Sequence, residues 1–500
     1  MLRALVPLSL VLLRASSVKA QAGEWAQCGG QVGEDFGYRR QRLIRGVGMD
    51  WGDHLCCRVN IPCQPSAPLK TPVSIHPDPL TSAPTSKIVD YSQCIPGTAP
   101  PTSTSTTTSP ATGPSATCTT PAPGSGTLQL VGVNIAGFDF GMDTTGTQMA
   151  SAAYPPLTQY FGLSTPLHQE SDFEPIRSSG KDGKGQMTHF VNDDGYNVFR
   201  LPVGWQFLTN NVVGGTINQT NLAEYDALVQ TCLGTGSSCI IDIHNYARWN
   251  GAIIGQGGPT NAQFAALWSA IAAQYKNTPK VIFGVMNEPH DVPDINLWAG
   301  SVQAAVTAIR NAGATTQMIL LPGNDWTSAQ TFISDGSAAG IEIHPSIALV
   351  SSLCVLALSK VVNPDGSFTN LIFDVHKYLD SDNSGTHAQV CYSNECVTNN
   401  IENAWAPLTQ WLRCNGRKAF NTETGGGNTA SCITYMCQQI AYQAQNSDVI
   451  LGYVGWAAGN FDVSYVLSEL PAGSGSSWTD TTLVSSCMAP KAGAQKGSTS

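Results

Sequence analysis

The sequence predicts an α/β fold in which a (β/α)8 TIM barrel forms most of the chain. Two observations predict it: eight short apolar runs rich in β-prone residues recur between residues 128 and 454, and helical periodicity fills most of the intervals. Such alternation implies a mostly parallel sheet covered by helices. Eight runs favour closure into a barrel, although an open doubly wound sheet fits the same alternation.

Each predicted strand is a short apolar stretch that ends in polar or turn-forming residues. The eight stretches are Leu128–Ile135, Asn197–Val203, Cys239–Ile243, Val281–Met286, Met318–Leu321, Leu371–Val375, Lys418–Thr422 and Val449–Val454. The first of them carries Gly132-Val133-Asn134 and no phosphate-binding glycine loop, which disfavours a nucleotide-binding open sheet. We therefore expect a barrel without a cofactor.

The predicted helices show apolar residues at three- and four-residue steps. In the clearest of them, Asn261–Lys276, Thr260 precedes the helix and Gln263 follows three residues later, which is a capping-box signature. The other candidates are Leu222–Leu233, Leu297–Ile309, Ile401–Leu412 and Ile433–Ala444.

Composition limits the partners of this chain. Only 12% of its residues are charged and its formal net charge is −10, which argues against nucleic acid or an anionic membrane as a partner. A neutral substrate and a monomeric protein are expected. No histidine–cysteine spacing typical of a metal site is found, so no metal is expected.

The first part of the chain is predicted to be a leader followed by a small domain and a linker. Residues 1–20 have the pattern of a secretory signal peptide, with Arg3, the apolar stretch Ala4–Leu13 and a cleavage site at Val18-Lys19-Ala20. Residues 21–97 are rich in cysteine, and residues 98–126 form a Ser/Thr/Pro-rich linker. Residues 127–490 form the predicted barrel, and residues 491–500 a disordered tail.

Secretion fits the cysteine content. Fifteen cysteines in an exported chain indicate disulfides, and their odd number leaves at least one thiol free or paired between chains. The sequence Asn218-Gln219-Thr220 is a candidate N-glycosylation site.

Polar and aromatic side chains follow nearly every predicted strand, as expected of a wet, aromatic-lined cleft at one end of a barrel. Two of them are glutamates, Glu288 and Glu423, and a pair of carboxylates is the minimum equipment for cleaving a glycosidic bond. Taken singly, each residue also has a structural interpretation, as an ion pair, a structural histidine or a packing tryptophan. The residues at these ends are Arg200, Trp205, His244, Trp249, Asn287, Glu288, Trp326, His376, Tyr378, Glu423 and Trp456.

Residues 128–487 resemble the catalytic domain of fungal endoglucanases of glycoside hydrolase family five. The resemblance implies a TIM barrel and retaining hydrolysis of β-1,4-glucan. It rests on the segments Gly132-Val133-Asn134-Ile135-Ala136-Gly137-Phe138-Asp139-Phe140, Phe199-Arg200-Leu201-Pro202-Val203-Gly204-Trp205, Asp242-Ile243-His244-Asn245-Tyr246-Ala247-Arg248-Trp249-Asn250-Gly251, Met286-Asn287-Glu288-Pro289-His290, Phe373-Asp374-Val375-His376-Lys377-Tyr378 and Thr422-Glu423-Thr424-Gly425-Gly426-Gly427.

The resemblance assigns a role to each strand-end residue. It implies that Glu288 is the general acid/base and that Glu423 is the nucleophile. Arg200, together with Tyr378 and His376, would hold Glu423 as an anion. Asn287 would bind the sugar 2-hydroxyl. The remaining residues implied to line sugar subsites are His244, Trp456, Trp205, Trp249 and Trp326.

The resemblance also implies three disulfides: Cys232–Cys239, Cys396–Cys432 and Cys437–Cys487. No partner is assigned to Cys118, Cys354, Cys391 or Cys414. Met142 and Gln148 stand where relatives carry a further cysteine pair, so we expect a looser loop after the first strand.

Residues 21–97 resemble an interrupted family-one cellulose-binding module. Trp25-Ala26-Gln27-Cys28-Gly29-Gly30-Gln31 is similar to the beginning of such a module, and Asp90-Tyr91-Ser92-Gln93-Cys94-Ile95-Pro96-Gly97 to its end. Val32–Gly48 and Pro65–Val89 fit no part of it. Two further stretches, Gly340–Ala357 and Cys391–Asn394, interrupt the barrel sequence. Either these stretches are genuine loop insertions or some of them are intron sequence retained in the predicted gene product.

Three functions are compatible with the sequence. The first is a secreted endo-β-1,4-glucanase acting on cellulose. The second is a hydrolase of another β-glucan or of mannan, because loops set the polymer that a barrel accepts. The third is a carbohydrate-binding barrel without turnover, which the presence of both glutamates and Arg200 disfavours.

Overall fold

The computed structural model describes residues 126–157, 181–338, 358–385, 395–475 and 477–491. The predicted signal peptide, the cellulose-binding module and all but the last residue of the linker lie outside the described residues. So do the stretches 340–357 and 391–394, and the tail from residue 492 onward.

Eight parallel strands close into a barrel in sequential order, which confirms the predicted fold class. Each of the eight predicted runs overlaps one strand. The strands are β1 (Leu130–Ala136), β2 (Val198–Val203), β3 (Ser238–Ile243), β4 (Val281–Gly284), β5 (Ile319–Pro322), β6 (Leu371–His376), β7 (Ala419–Thr424) and β8 (Ile450–Gly459). The barrel closes where β1 pairs with β8, with Leu130 opposite Gly452.

Seven α-helices surround the strands in the described part of the chain. The capping box predicted at Thr260 and Gln263 is present at the start of α4. The helices are α1 (Gly183–His189), α2 (Trp205–Leu208), α3 (Gln219–Gly234), α4 (Asn261–Tyr275), α5 (Ile295–Asn311), α6 (Ala406–Cys414) and α7 (Ala430–Gln445). All five predicted helices are found, while α1 and α2 were not predicted, because α1 contains two glycines and α2 is a single turn.

Shorter elements join these helices and strands. Three are 3-10 turns (Ala150–Ala152, Asp325–Thr327 and Leu358–Lys360), and three are π-helical turns (Phe190–Asp194, Ile401–Trp405 and Val484–Met488). Two small antiparallel pairs join Arg248–Trp249 to Ala252–Ile253 and Ala472–Ser474 to Ser477–Thr479.

The barrel interior is apolar in its lower layer and polar above it. The lower layer is a separate hydrophobic cluster to which every strand contributes: Leu130, Val198, Ile240, Ile282, Leu320, Ile372, Phe420, Leu451 and Val454. Side chains two residues apart on a strand point to the same face. The next inward positions are therefore Arg200, Asp242, Asp374 and Thr422, all of them buried. This layer of polar side chains lies at the carboxyl ends of the strands, where barrel enzymes carry their chemistry.

The loop after β1 is fastened by Gln148, contrary to the expectation of a looser loop. Met142 and Gln148 face each other in a β-bridge. The Gln148 side chain is buried, donates to the carbonyl oxygens of Phe138 and Phe140, and accepts from the backbone N–H of Phe207. Two of these hydrogen bonds close the loop on itself, and the third joins it to α2.

The structure contains the disulfides Cys232–Cys239, Cys396–Cys432 and Cys437–Cys487. Cys414 is disulfide-bonded as well. Cys118, Cys354 and Cys391 lie outside the described residues. The candidate glycosylation residue Asn218 caps α3, where its side-chain oxygen accepts from the N–H groups of Thr220 and Asn221. Within the described residues, no helix combines the length and the apolar character that crossing a membrane requires.

Candidate active site

Arg200 on β2 is the centre of the polar layer. Its side chain is fully buried, and its guanidinium donates to Asn134 Oδ1 at 3.0 Å, Asn287 Oδ1 at 2.5 Å and Glu423 Oε2 at 2.8 Å. Asp242 Oδ2 lies 3.1 Å from Arg200 Nη2. These four partners come from three other strands and from the segment after β4, so this one side chain fixes their relative positions.

The buried charge on Arg200 sets the ionisation of the groups around it. Burial alone would lower the pKa of Arg200, but Asp242 and Glu423 outweigh that effect and raise it. Burial likewise tends to raise the pKa of Asp242, yet Arg200 and the hydrogen bond from His244 lower it. Arg200 and Asp242 therefore form a buried ion pair in which each group favours the charged form of the other.

Glu423, on β7, is held from both carboxylate oxygens. Arg200 donates to Oε2, and the hydroxyl of Tyr378 donates to Oε1 at 2.7 Å. Burial and the neighbouring Glu423 raise the pKa of Tyr378 well above its usual value, so Tyr378 stays a proton donor. Glu423 thus accepts one charge-assisted hydrogen bond and one hydrogen bond from a neutral hydroxyl, and both fix the direction of its carboxylate.

Glu288, which follows β4, lies in a different environment. Its backbone φ is +37°, an uncommon conformation for a residue other than glycine. Burial raises the pKa of Glu288 to about 7. Carboxylate oxygens of Glu288 and Glu423 and a ring nitrogen of His376 lie within 4.8 Å of one another. Glu288 is thus readier to hold a proton at neutral pH than an ordinary carboxyl group is.

His376 contacts Glu288, not the carboxylate to which it was assigned. The expectation was that His376 would help Tyr378 hold Glu423. Instead, His376 Nδ1 lies 2.8 Å from Glu288 Oε1 and 3.8 Å from Glu423 Oε2, too far for a hydrogen bond. Its Nε2 lies 3.0 Å from the hydroxyl of Thr422. Burial lowers the pKa of His376, which favours the neutral ring.

His244 and Asn287 form a second chain of contacts beside Arg200. His244 Nδ1 lies 2.8 Å from Asp242 Oδ2, and His244 Nε2 lies 3.3 Å from Asn287 Nδ2. Burial alone would lower the pKa of His244, but Asp242 raises it. Asn287 is thereby oriented from both ends, through its oxygen by Arg200 and through its nitrogen by His244.

Aromatic side chains line the space above the polar layer. Trp456 stacks on His244 with ring centroids 5.4 Å apart, and its indole N–H donates to the hydroxyl of Tyr465. Trp326 is 36% exposed and stacks on His290 at 3.9 Å. Both rings are therefore fixed in orientation by a neighbour.

Trp205 cannot line this space, and its assignment to a subsite is wrong. Its side chain is 0% exposed and packs edge-on against Trp249 and beside Phe264. A ring enclosed in this way has no face to offer a ligand. Trp249 is 8% exposed, the same fraction as Trp456, and it packs edge-on against Trp205.

The sequence matches the family Cellulase (glycosyl hydrolase family 5) over residues 145–462. The chain belongs to glycosyl hydrolase family 5. It is 61% identical over 364 residues to endoglucanase EG-II of Hypocrea jecorina, and this match covers 73% of the chain and 78% of that relative. It is 42% identical over 397 residues to the manganese dependent endoglucanase Eg5A of Phanerodontia chrysosporium, covering 78% of the chain and 86% of the relative.

A solved structure agrees with the family match. The crystal structure of Cel5A (EG2) from Hypocrea jecorina is 60% identical in sequence, covers 73% of this chain and 99% of its own, and superposes with a TM-score of 0.64. The chain is thus a glycoside hydrolase, and the expected resemblance to fungal endoglucanases of this family is confirmed.

Several residues of this family 5 site were missed by reasoning from the sequence. Asn134, Asp242, Asp374 and Thr422 all hold catalytic-site neighbours in place, although none was named as a site residue. A signal did exist: three of them stand two positions after an apolar residue of the lower layer, and hence point into the barrel.

Proposed function

We propose that this chain is a secreted endo-β-1,4-glucanase that hydrolyses internal bonds of cellulose with retention of anomeric configuration. The observation that carries the proposal is the pair Glu288 and Glu423, whose carboxylate oxygens lie within 4.8 Å of each other. Retaining enzymes place their carboxyl groups about 5–5.5 Å apart, whereas inverting enzymes leave room for a water at about 6.5–9.5 Å.

The two environments support a division of labour. Glu423, bound by Arg200 and Tyr378, is suited to attack the anomeric carbon as an anion. Glu288, with a pKa of about 7, is suited to donate its proton to the departing glycosidic oxygen. The covalent glycosyl–Glu423 ester is then hydrolysed by a water that gives its proton to Glu288, which restores both carboxyl groups to their starting states.

Neighbouring side chains support binding of the sugar. Asn287 Nδ2 carries two protons, and only one of them faces His244, so the other is available to a sugar hydroxyl. The stacked Trp456 offers an apolar face for a sugar ring. Trp326 is proposed to serve a more distant subsite, since it is the more exposed of the two rings.

Secretion and the roles of the N-terminal segments are part of the same proposal. The disulfides of the barrel fit an oxidising compartment, as the predicted signal peptide requires. A β-glucan in the surroundings of the cell is a substrate that an exported monomer can reach. Residues 21–97 are proposed to derive from a cellulose-binding module.

The decisive experiment follows the release of reducing ends and the viscosity of soluble carboxymethyl cellulose. The products formed from mannan, xyloglucan and mixed-linkage glucan are compared in parallel. An endo-acting enzyme lowers viscosity faster than it releases reducing ends. Glu288→Gln and Glu423→Gln are expected to lose nearly all hydrolysis of this substrate, whereas Glu402→Gln, at an exposed position, serves as the matched control.

The stereochemistry of the first product tests the mechanism separately. Proton NMR of freshly cleaved cello-oligosaccharide is expected to show the β-anomer before mutarotation. An α-anomer at early times would contradict retention, and wild-type turnover in Glu423→Gln would contradict the role of Glu423.

A further inference from the structure

A group of titratable side chains lies away from the polar layer, where α1 meets the C-terminal part of the chain. It consists of His189 at the end of α1, Asp193 and Asp194 in the π-helical turn that follows, and Asp480 just after the short strand Ser477–Thr479. His189 Nε2 lies 2.7 Å from Asp480 Oδ1 and 3.6 Å from Asp194 Oδ2.

The orientation of His189 is fixed from its other side. Its Nδ1 lies 2.6 Å from Asp193 Oδ2, and the ring stacks on Trp478. In a neutral histidine, one ring nitrogen carries the proton and the other carries a lone pair. When a carboxylate accepts a hydrogen bond from the N–H of the first nitrogen, the lone pair of the second is free to bind a cation. This carboxylate–histidine arrangement is the one that orients histidine ligands in metal sites. In this structure both ring nitrogens lie within hydrogen-bond distance of a carboxylate, as in a protonated ring; a metal ion that displaces the Nε2 proton would meet a lone pair directed toward Asp194 and Asp480.

The three carboxylates of this group exceed the single positive charge that His189 can carry. Three carboxylates surround one imidazole, and within the described residues no lysine or arginine forms an ion pair with any of the three. Asp194 Oδ2 is buried and has no hydrogen-bond partner among the described residues, although Asp194 is only 5% exposed. A buried carboxylate oxygen without a donor calls either for a cation or for a proton shared with a neighbouring carboxylate.

We propose that His189 Nε2, Asp194 Oδ2 and Asp480 Oδ1 bind a divalent transition-metal ion, Zn²⁺ or Mn²⁺. The three ligand atoms lie within 4.8 Å of one another, and one imidazole with two carboxylates is a ligand set that both ions accept. Metal–ligand bonds of about 2.0–2.2 Å require only that the Nε2 and Asp480 oxygen atoms move slightly apart. Solvent reaches the group at Asp480, whose side chain is 15% exposed, and can complete the coordination.

This site was not foreseen from the sequence, where no metal was expected. Its ligands do not form a local motif, since His189 and Asp480 are separated by 291 positions. The ion would join α1 and its following turn to the segment after the last barrel strand. Its role is therefore structural, and binding to the folded state alone raises stability.

The test uses the full chain, stripped with a chelator and then titrated with Mn²⁺ while the electron paramagnetic resonance signal of the free ion is followed. We expect wild type to bind one Mn²⁺ per chain and Asp480→Asn to weaken binding at least tenfold. Asp448→Asn, which removes an exposed carboxylate of another ion pair, is the matched control and should bind as wild type does.

Glu423→Gln excludes binding at the catalytic carboxylates, and it should also titrate like wild type. Zn²⁺ added to the stripped protein should raise Tm by several degrees in wild type and in Asp448→Asn, but not in Asp480→Asn or Asp194→Asn. Circular dichroism verifies that these two variants are folded. The proposal is overturned if stripped wild type binds no Mn²⁺, in which case a proton on His189 links the carboxylates, or if binding is lost in Glu423→Gln and kept in Asp480→Asn.

Discussion

His376 faces Glu288 with the ring nitrogen that carries no proton. Thr422 donates its only hydroxyl proton to Asp374, so it can only accept from His376 Nε2–H, at 3.0 Å. The neutral ring then presents an Nδ1 lone pair to Glu288 Oε1 at 2.8 Å. That contact is a hydrogen bond only when Glu288 is protonated. The chain Asp374–Thr422–His376 therefore favours the acid form of Glu288, in the same direction as burial.

The first prediction concerns pH. Because burial raises the pKa of Glu288 to about 7 and the proposed reaction needs its protonated form, kcat/KM should fall as pH rises through about 7. A pH profile with a soluble cello-oligosaccharide measures this limb. A dinitrophenyl cellobioside needs no acid assistance, and its first step should lack the limb. If kcat/KM falls with rising pH equally for both substrates, a group other than Glu288 causes the fall.

The second prediction concerns Thr422. Thr422→Val removes the acceptor of His376 Nε2–H, so the other tautomer can form and donate from Nδ1 to an ionised Glu288. The pKa of Glu288 should then fall, which moves the alkaline limb to lower pH and reduces kcat/KM about 10- to 100-fold at neutral pH. Thr422→Ser keeps the hydroxyl and should restore both properties. An unshifted limb in Thr422→Val would refute the chain of contacts.

The third prediction concerns Arg200. Arg200→Lys keeps the charge but loses the planar fork that contacts four side chains at once. We expect kcat to fall at least 100-fold, and stability to fall by about 1–3 kcal/mol, because one ammonium group leaves some of the four buried acceptors without a donor. Kinetics and denaturant unfolding measure the two effects. Arg413→Lys, at a more exposed ion pair, should change neither; near-normal turnover in Arg200→Lys would show that charge alone suffices.

The fourth prediction separates two tryptophans. Trp456→Ala removes a proposed sugar platform and should raise KM for cello-oligosaccharides. Trp205→Ala removes an enclosed ring and should lower stability by about 3–5 kcal/mol. Trp205→Phe should recover part of that loss. Steady-state kinetics measure KM for each variant, and thermal unfolding measures its stability. If Trp205→Phe alters KM as strongly as Trp456→Ala does, the separation of a sugar-binding from a packing tryptophan is refuted.

The fifth prediction concerns the stretch Gly340–Ala357. The residues on either side of it already meet: Leu358 N–H donates to Ser337 O at 3.1 Å, and Ser359 N–H donates to Ala338 O at 3.2 Å. A variant in which residue 339 is joined to Leu358 should therefore fold, with Tm and carboxymethyl cellulose turnover close to those of the full chain. Peptide mapping of the natural protein complements the deletion variant. Recovery of peptides from within 341–357 would contradict the hypothesis that this stretch is retained intron sequence. Loss of folding on deletion would show that the stretch belongs to the barrel.

Much of this architecture could be predicted from local patterns. Apolar runs located all eight strands, and the residues after them located Arg200, Glu288 and Glu423. What the patterns could not supply was the partner of each side chain. Tyr378 and His376 were both expected to hold Glu423; Tyr378 contacts it, but His376 contacts Glu288 instead. The pairing of β6 with β7 shifts register at His376, which no local pattern predicts. Trp205 follows a strand as the other candidates do, yet α2 begins at that residue and turns its ring into the core.

The closure of the barrel has a consequence for how the protein is made. Asn134, which positions Arg200, also donates to the carbonyl of Gly455, 321 positions later in the chain. Contacts of such separation form late, because the loop that they close is long. A chain still emerging from the ribosome holds β1 through β7 without the strand that completes Arg200's surroundings. Hydrolytic activity therefore begins only after β8 has been made and has joined the barrel, and until then the unpaired edges of β1 and β7 need protection from other chains.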